Sequence, residues 1–131
     1  MNSIGKGSMA LHRMSRAKKT MDELELLSKN ERWNAAVNRL YYASFYSVSA
    51  LLVNSGSKAK TDIGVKKMFE KHFVLTGVIS KEAGEFYSKL FKLKEEDEFG
   101  PFFEFTEKEI APLLQNTRQL ISKVESILFK Q

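Results

Sequence analysis

Side chains able to do acid–base or nucleophilic chemistry are few in this chain. There are two histidines, His12 and His72, and no cysteine in 131 residues. Without cysteine there can be no thiolate metal site, thiol nucleophile or disulfide framework. Neither histidine has a carboxylate or a second histidine one turn away, so neither belongs to a helical metal motif. No glycine-rich phosphate loop and no Gly-x-Ser-x-Gly turn occurs. Glu95, Glu96, Asp97 and Glu98 form the densest acidic run. Consecutive positions on a helix point in different directions, so this run is expected to be a solvated helix end and not a metal cage. Neither a catalytic residue, nor a metal, nor a cofactor is expected.

Arg39 is the informative residue. It is the single charge between Trp33 and Val53, in a chain that is 28% charged overall. A guanidinium keeps its proton, so inside an apolar helix it must be paired or face a ligand. Ala35 and Ala43 lie one turn either side of it, and Tyr42 lies at i+3. Those small neighbours leave room for another helix, or a ligand, to approach. A bundle-bracing pair with one of the acids at 95 to 98 is expected, with a functional cleft as the alternative.

The element that must hold Arg39 is the run WNAAVNRLYYASFYSVSALLV. Its apolar residues recur at three- and four-residue steps and spread nearly all round, which marks a buried helix. Asn34, Asn38 and Arg39 interrupt it and three serines dilute it, so it falls short of the ~20 apolar residues of a membrane span. It is expected to be a central core helix wrapped by others. Met14, Ala17, Met21, Leu24 and Ser28 trace one stripe of an amphipathic first helix from Met9. Asn30 is a plausible cap for the central helix, which Gly56 should end. Thr61 can cap a third helix that Gly77 ends, and Ser80 a fourth. Thr106 with Glu109 has the capping-box pattern that opens the last helix, and Pro112 should kink that helix or split off its first turn. No stretch alternates with period two. The fold expected is all-α, a bundle of four long helices plus one shorter one, with residues 1–8 a flexible amino-terminal tail and 9–131 a single domain.

Charge is uneven along the chain. Residues 6–19 carry five cations and no acid, whereas residues 92–109 carry seven acids against three lysines. Ordinary solvated helix faces are expected, with a polyanion-facing surface set against an acidic one as the alternative. The net charge is +5, and no apolar leader precedes the first helix, so a cytoplasmic protein is expected. FGPFFEF places Phe99, Phe102, Phe103 and Phe105 within seven residues. That much aromatic surface is either a plug on the core or an interface. A homodimer burying part of it is expected.

The run RWNAAVNRLYYASFYSVSALL resembles the central helix of the HEPN domains (higher eukaryotes and prokaryotes nucleotide-binding), in their small stand-alone prokaryotic branch. TDIGVKKMFEKHFVLTGVI is similar to that family's Thr-His-x-Gly stretch and Phe-Val-x-x-Gly element. LFKLKEEDEF resembles its Leu-Phe-x-x-Arg-x-x-x-Asp-Tyr. The resemblance extends from about residue 10 to 129 and implies an up-and-down helical bundle, usually dimeric. It also implies pairing with a small nucleotidyltransferase, as the helical half of a toxin–antitoxin-type module.

The departures bear on activity. Many HEPN proteins resemble metal-independent ribonucleases built on an arginine followed closely by a histidine. Here the family arginine aligns with Lys94 and no histidine follows it. The Asp-Tyr pair has become Glu98 and Phe99, and the histidine of the Thr-His element is Asp62. Since the family pattern places an acid at Glu98, that residue is the favoured partner for Arg39. Without an imidazole no unperturbed group titrates near neutrality to act as acid or base. The expected function is a HEPN-like binding module without catalysis. It would use Arg39, Tyr42, Tyr46, Lys94 and Glu98 to bind a nucleotide, an RNA or a nucleotidyltransferase partner, with no membrane involved. The alternatives are a ribonuclease toxin with a degenerate motif and a purely structural helical adaptor.

Overall fold

A computed structural model describes residues 2–98 and 104–129, with side chains from residue 7 onward. Five helices run in chain order: α1 Asn2–Lys29, α2 Trp33–Asn54, α3 Asp62–Phe69, α4 Lys81–Glu98 and α5 Glu107–Leu128. No strand occurs among the described residues. α1, α2, α4 and α5 are long, and α3 is short and continues into a π-helical turn at Glu70–Val74. The all-α bundle of four long helices and one shorter one is the fold that the apolar periodicity implied. Helix α1 begins at Asn2, ahead of the Met9 start suggested by its stripe.

α2 is central. Val37, Leu40, Tyr41, Val48 and Leu51 are fully buried in it, and α1, α3, α4 and α5 all pack against it. α1 contributes Ala10, Met14, Ala17, Met21 and Leu24, one residue per turn, and α5 contributes Ile110, Leu113, Thr117, Ile121 and Val124 on the same principle. Direction follows from cross-helix bonds. Arg16 reaches Tyr46 and Arg39 reaches Glu23, so α1 and α2 are antiparallel. Arg118 meets Glu25 and Lys18 meets Glu125, so α5 runs against α1 as well. The chain passes up and down through the bundle.

The helix boundaries show which local chemistry decides them. Thr61 accepts from the Gly64 amide at 3.0 Å, Ser80 from the Ala83 amide at 3.1 Å, and Thr106 with Glu109 closes a reciprocal capping box. α2 departs from expectation, because its first-turn cap position is Arg32 and no side chain caps it. Asn30 instead donates from Nδ2 to the Leu26 carbonyl, closing the end of α1. There the Arg32 amide reaches Leu27 O and the Glu31 amide reaches Ser28 O, with Glu31 left-handed at φ 56°. This is the Schellman arrangement, usually made with glycine. It fixes a three-residue link between α1 and α2, and hence their register. α5 continues unbroken through Pro112, so its first turn is not a separate element.

The π turn sets how closely α4 can approach. A Cβ on Gly84 would lie 2.8 and 2.9 Å from the two methyls of Val74, so only glycine fits at this crossing. The Glu70 carboxylate accepts from Lys66 and from Ser88 at 3.1 Å each, which ties the turn to α4.

Candidate functional site

Side chains from three helices and the start of α3 meet over the outer face of α2. Tyr41 is fully buried, and Tyr42, Phe45 and Tyr46 are partly exposed. Ring centroids are 6.0 Å apart for Tyr42 and Phe45, 6.0 Å for Tyr42 and Tyr46 and 5.8 Å for Phe45 and Tyr46, an aromatic cluster spanning just over one helical turn. Such a cluster follows from helical spacing, since i, i+3 and i+4 positions share a face.

Cations rest on these rings from both sides. The Arg16 guanidinium lies 4.6 Å from the Tyr46 centroid, and that of Arg39 lies 5.8 Å from Tyr42. From the opposite side the Lys94 ammonium approaches Tyr41 at 5.2 Å and Tyr42 at 5.7 Å. Cation–π contacts of this kind contribute about 0.5–2 kcal/mol depending on exposure. The five site residues read from the sequence are therefore contiguous: Arg39 touches Tyr42, Tyr42 meets Tyr46 and Lys94, and Lys94 holds Glu98.

Lys94 is the most constrained of them. Its side chain is 13% exposed, with its ammonium 2.9 Å from Asp62 and 3.3 Å from Glu98. Burial opposes the charge, but the hydrogen bond and charge of Asp62 outweigh it, with smaller help from Tyr42 and Glu98. The ammonium is held well above the ordinary lysine range. Below it lie the buried hydroxyls of Tyr41 and Tyr87, which find no hydrogen-bond partner among the described residues. Burial pushes both phenols upward, beyond any physiological titration. The Asp97 carboxyl is also raised, by burial first and by neighbouring Glu98 second.

Arg39 does not pair with Glu98. Its Nη1 meets Glu23 Oε1 at 2.8 Å and its Nε donates to Asn38 Oδ1 at 2.9 Å. The antiparallel α1–α2 register puts Glu23 directly across, while Glu98 is held by Lys94 one turn back on its own helix. Arg39 is paired, but its partner comes from the adjacent helix and not from the acids at 95 to 98. Phe105 is buried in the chain's own core at 8% exposed, its amide bonded to Asn34 Oδ1 at 2.9 Å. Phe99, Phe102 and Phe103 lie outside the described residues. Asp62 and Arg16 belong to the cluster and were not singled out as site residues by sequence reasoning. The signals were present, as a helix-capping Thr-Asp step and an acid-free run on α1. His12 is exposed on α1 and His72 on the π turn, neither near Lys94 in sequence or by any contact. No group of three or more potential metal ligands converges among the described residues.

A family model described as the HEPN domain matches residues 10–127. The chain belongs to the HEPN family. Among its HEPN relatives, a UPF0332 protein of Thermotoga maritima is 37% identical over 113 residues, covering 86% of each chain. Two proteins of Methanocaldococcus jannaschii named as candidate toxins are each 28% identical. One matches over 118 residues, or 90% of this chain and 80% of its own. The other matches over 112 residues, 86% and 83% respectively. Among the described residues of this HEPN chain, no helix is long and apolar enough to cross a membrane.

Proposed function

We propose that this HEPN domain acts by binding, without catalysis of its own, as the helical half of a toxin–antitoxin-type pair with a small nucleotidyltransferase. The observation that carries the reading is the clamp on Lys94. A lysine serves as general base near neutral pH only when its pKa is strongly lowered. Asp62 and Glu98 do the opposite to Lys94. The residue aligned with the family's catalytic arginine stays a cation, but its charge is engaged by Asp62, a carboxylate standing where the resemblance places a histidine. Naming of two relatives as candidate toxins supports the toxin–antitoxin setting. The partly exposed cluster Tyr42, Phe45 and Tyr46, rimmed by Arg39 and Lys94, supplies the aromatic and guanidinium anchors typical of binding hot spots. The dimer expected from the aromatic segment 99–105 belongs to this proposal.

The test has two arms. Purified chain incubated with RNA is expected to match a buffer control, and the tagged chain is expected to co-purify with a small nucleotidyltransferase encoded beside it. Tyr42→Ala and Lys94→Ala should weaken that association by about tenfold or more, with helical content unchanged. RNA cleavage that disappears in Lys94→Ala would overturn the non-catalytic reading and install the degenerate ribonuclease in its place.

A further inference from the structure

The outer edge of α3 carries an exposed stripe. α3 buries Val65 and Phe69 and turns Ile63 and Lys67 outward. Lys71 and Leu75 continue the outward series at steps of four residues, and Leu75 is the most exposed large hydrophobic side chain among the described residues. Four α-helical residues overshoot one turn by about 40°, so such a series would ordinarily wind away around the helix. The wider coil of the π turn at Glu70–Val74 takes up part of that drift and keeps Leu75 in line. Charge around the stripe is unbalanced. Between Ser55 and Lys81 the acids are Asp62 and Glu70. Both are engaged from within, Asp62 by Lys94 and Glu70 by Lys66 and Ser88. Lys58, Lys60, Lys67, Lys71 and Lys81 are exposed and form no ion pair among the described residues.

We propose that this face docks an acidic amphipathic helix of another protein, apolar at two positions about 18 Å apart and acidic at the two between them. The inference goes beyond the reading above and uses none of its binding residues, Arg39, Tyr42, Tyr46, Lys94 and Glu98. Ile63 and Leu75 would anchor the two apolar ends, while Lys67 and Lys71 meet the carboxylates and fix the register. A partner helix laid along the stripe matches its four-residue repeat because it has the same repeat itself. Other occupants fit this chemistry less well. A second copy in two-fold antiparallel contact would set lysine against lysine. A phosphate backbone offers nothing to Ile63 and Leu75, and residues 55–81 contain no arginine, whose planar fork suits phosphate. A lipid surface calls for a continuous apolar face, and here two lysines interrupt it.

The probe is a fluorescein-labelled peptide followed by anisotropy, with leucine, glutamate, glutamate and leucine at successive i+4 positions of an alanine- and glutamine-rich helix. It should bind with a Kd on the order of 100 µM in about 50 mM NaCl, and about two- to fivefold more weakly in about 300 mM, where exposed charges are screened. Lys71→Gln and Leu75→Ala should each weaken binding about three- to tenfold. Both residues are exposed, so thermal unfolding should be unchanged in either variant. Lys123→Gln, which removes an exposed cation on α5, should change affinity less than about twofold. Tyr42→Ala, which should weaken the partner association above, should leave peptide binding intact, so the two readings fail separately. No binding at low salt would overturn the inference, as would Lys123→Gln doing as much damage as Lys71→Gln. Undiminished binding of a peptide with alanine in place of both leucines, or glutamine in place of both glutamates, would do the same. Oligouridylate or phosphatidylglycerol vesicles bound through Lys71 while the peptide fails would give the face to a polyanion or a lipid surface and overturn it. A concentration-dependent dimer that Leu75→Ala abolishes in sedimentation would give it to a second copy, with the same consequence.

Discussion

Replacing Asp62 by asparagine isolates the charge that holds Lys94. The two side chains are 36% and 13% exposed, which lies between an open surface pair and a buried one. Surface pairs contribute about 0–1 kcal/mol, and breaking a buried pair costs about 3–5 kcal/mol. Glu98 stays within 3.3 Å but is 60% exposed, so it compensates only weakly. Asp62→Asn should therefore cost about 1–2 kcal/mol, while Glu98→Gln should cost less than about 0.5 kcal/mol. In urea the first corresponds to a midpoint lowered by about 0.5–1 M. In about 1 M salt most of the Asp62 effect should survive, because a partly buried pair is poorly screened. A cycle with Lys94→Met should return a coupling of about 1 kcal/mol between positions 62 and 94. The pH sign follows from the raised lysine. The folded chain holds this proton more tightly than the unfolded one, so the stabilisation is complete below the ordinary lysine value of 10.5 and is lost as pH rises beyond it. Asp62→Asn should flatten that alkaline loss. A coupling near zero, or equal costs for the two acids, would refute the clamp and with it the argument against Lys94 as a base.

Three further outcomes are expected. Gly84→Ala gains about 1 kcal/mol of helix propensity but forces a clash with Val74 costing about 1–3 kcal/mol, so it should destabilise on balance. Adding Val74→Ala should recover most of that loss, and a double-mutant cycle by thermal unfolding checks it. Glu31→Gly relieves a left-handed residue at the end of α1 and should stabilise the chain by about 0.5–1 kcal/mol in a urea titration. Asp97→Asn should raise the melting temperature at pH 7 and lose that advantage in acid. The folded chain favours the protonated Asp97 carboxyl, so the wild type is penalised only once that group ionises.

Helix chemistry that acts within a few residues was legible in advance. The apolar run of α2, the stripes of α1 and α5, and the caps at Thr61, Ser80 and Thr106 all follow from spacing and side-chain type. The misassignments involve competition between partners. Asn30 could cap α2 or close α1, and the Schellman link to Arg32 decided for α1. Arg39 had dense acids at 95–98 and a nearer one at Glu23. The three-residue link brings Glu23 across at no cost in loop closure, whereas Glu98 already has Lys94 at i−4. Arg39 stood out by residue type, whereas Lys94 and Glu98 entered through the family resemblance, and Asp62 as the anchor of Lys94 needed the ion pair that joins the start of α3 to α4. Phe105 shows the limit of composition. The aromatic run left open a plug on the core or an interface, and Phe105 is a core residue.

The π turn at Glu70–Val74 has a consequence for how this helix tolerates change in length. A π turn is in effect one residue inserted into an α-helix, and each residue advances a helix by about 100°. Everything after Val74 is thus rotated by that angle relative to an uninterrupted helix. Removing one residue from 70–74 would leave a helix of ordinary geometry and good hydrogen bonding, yet it would swing the following residues out of phase. Ile79, fully buried and bonded through its amide to Phe73 O at 2.8 Å, would lose its place, and Leu75, now 82% exposed, would turn elsewhere. The segment can be shortened without breaking the helix but not without re-aiming it. Phase, more than helicity, is what these five residues encode.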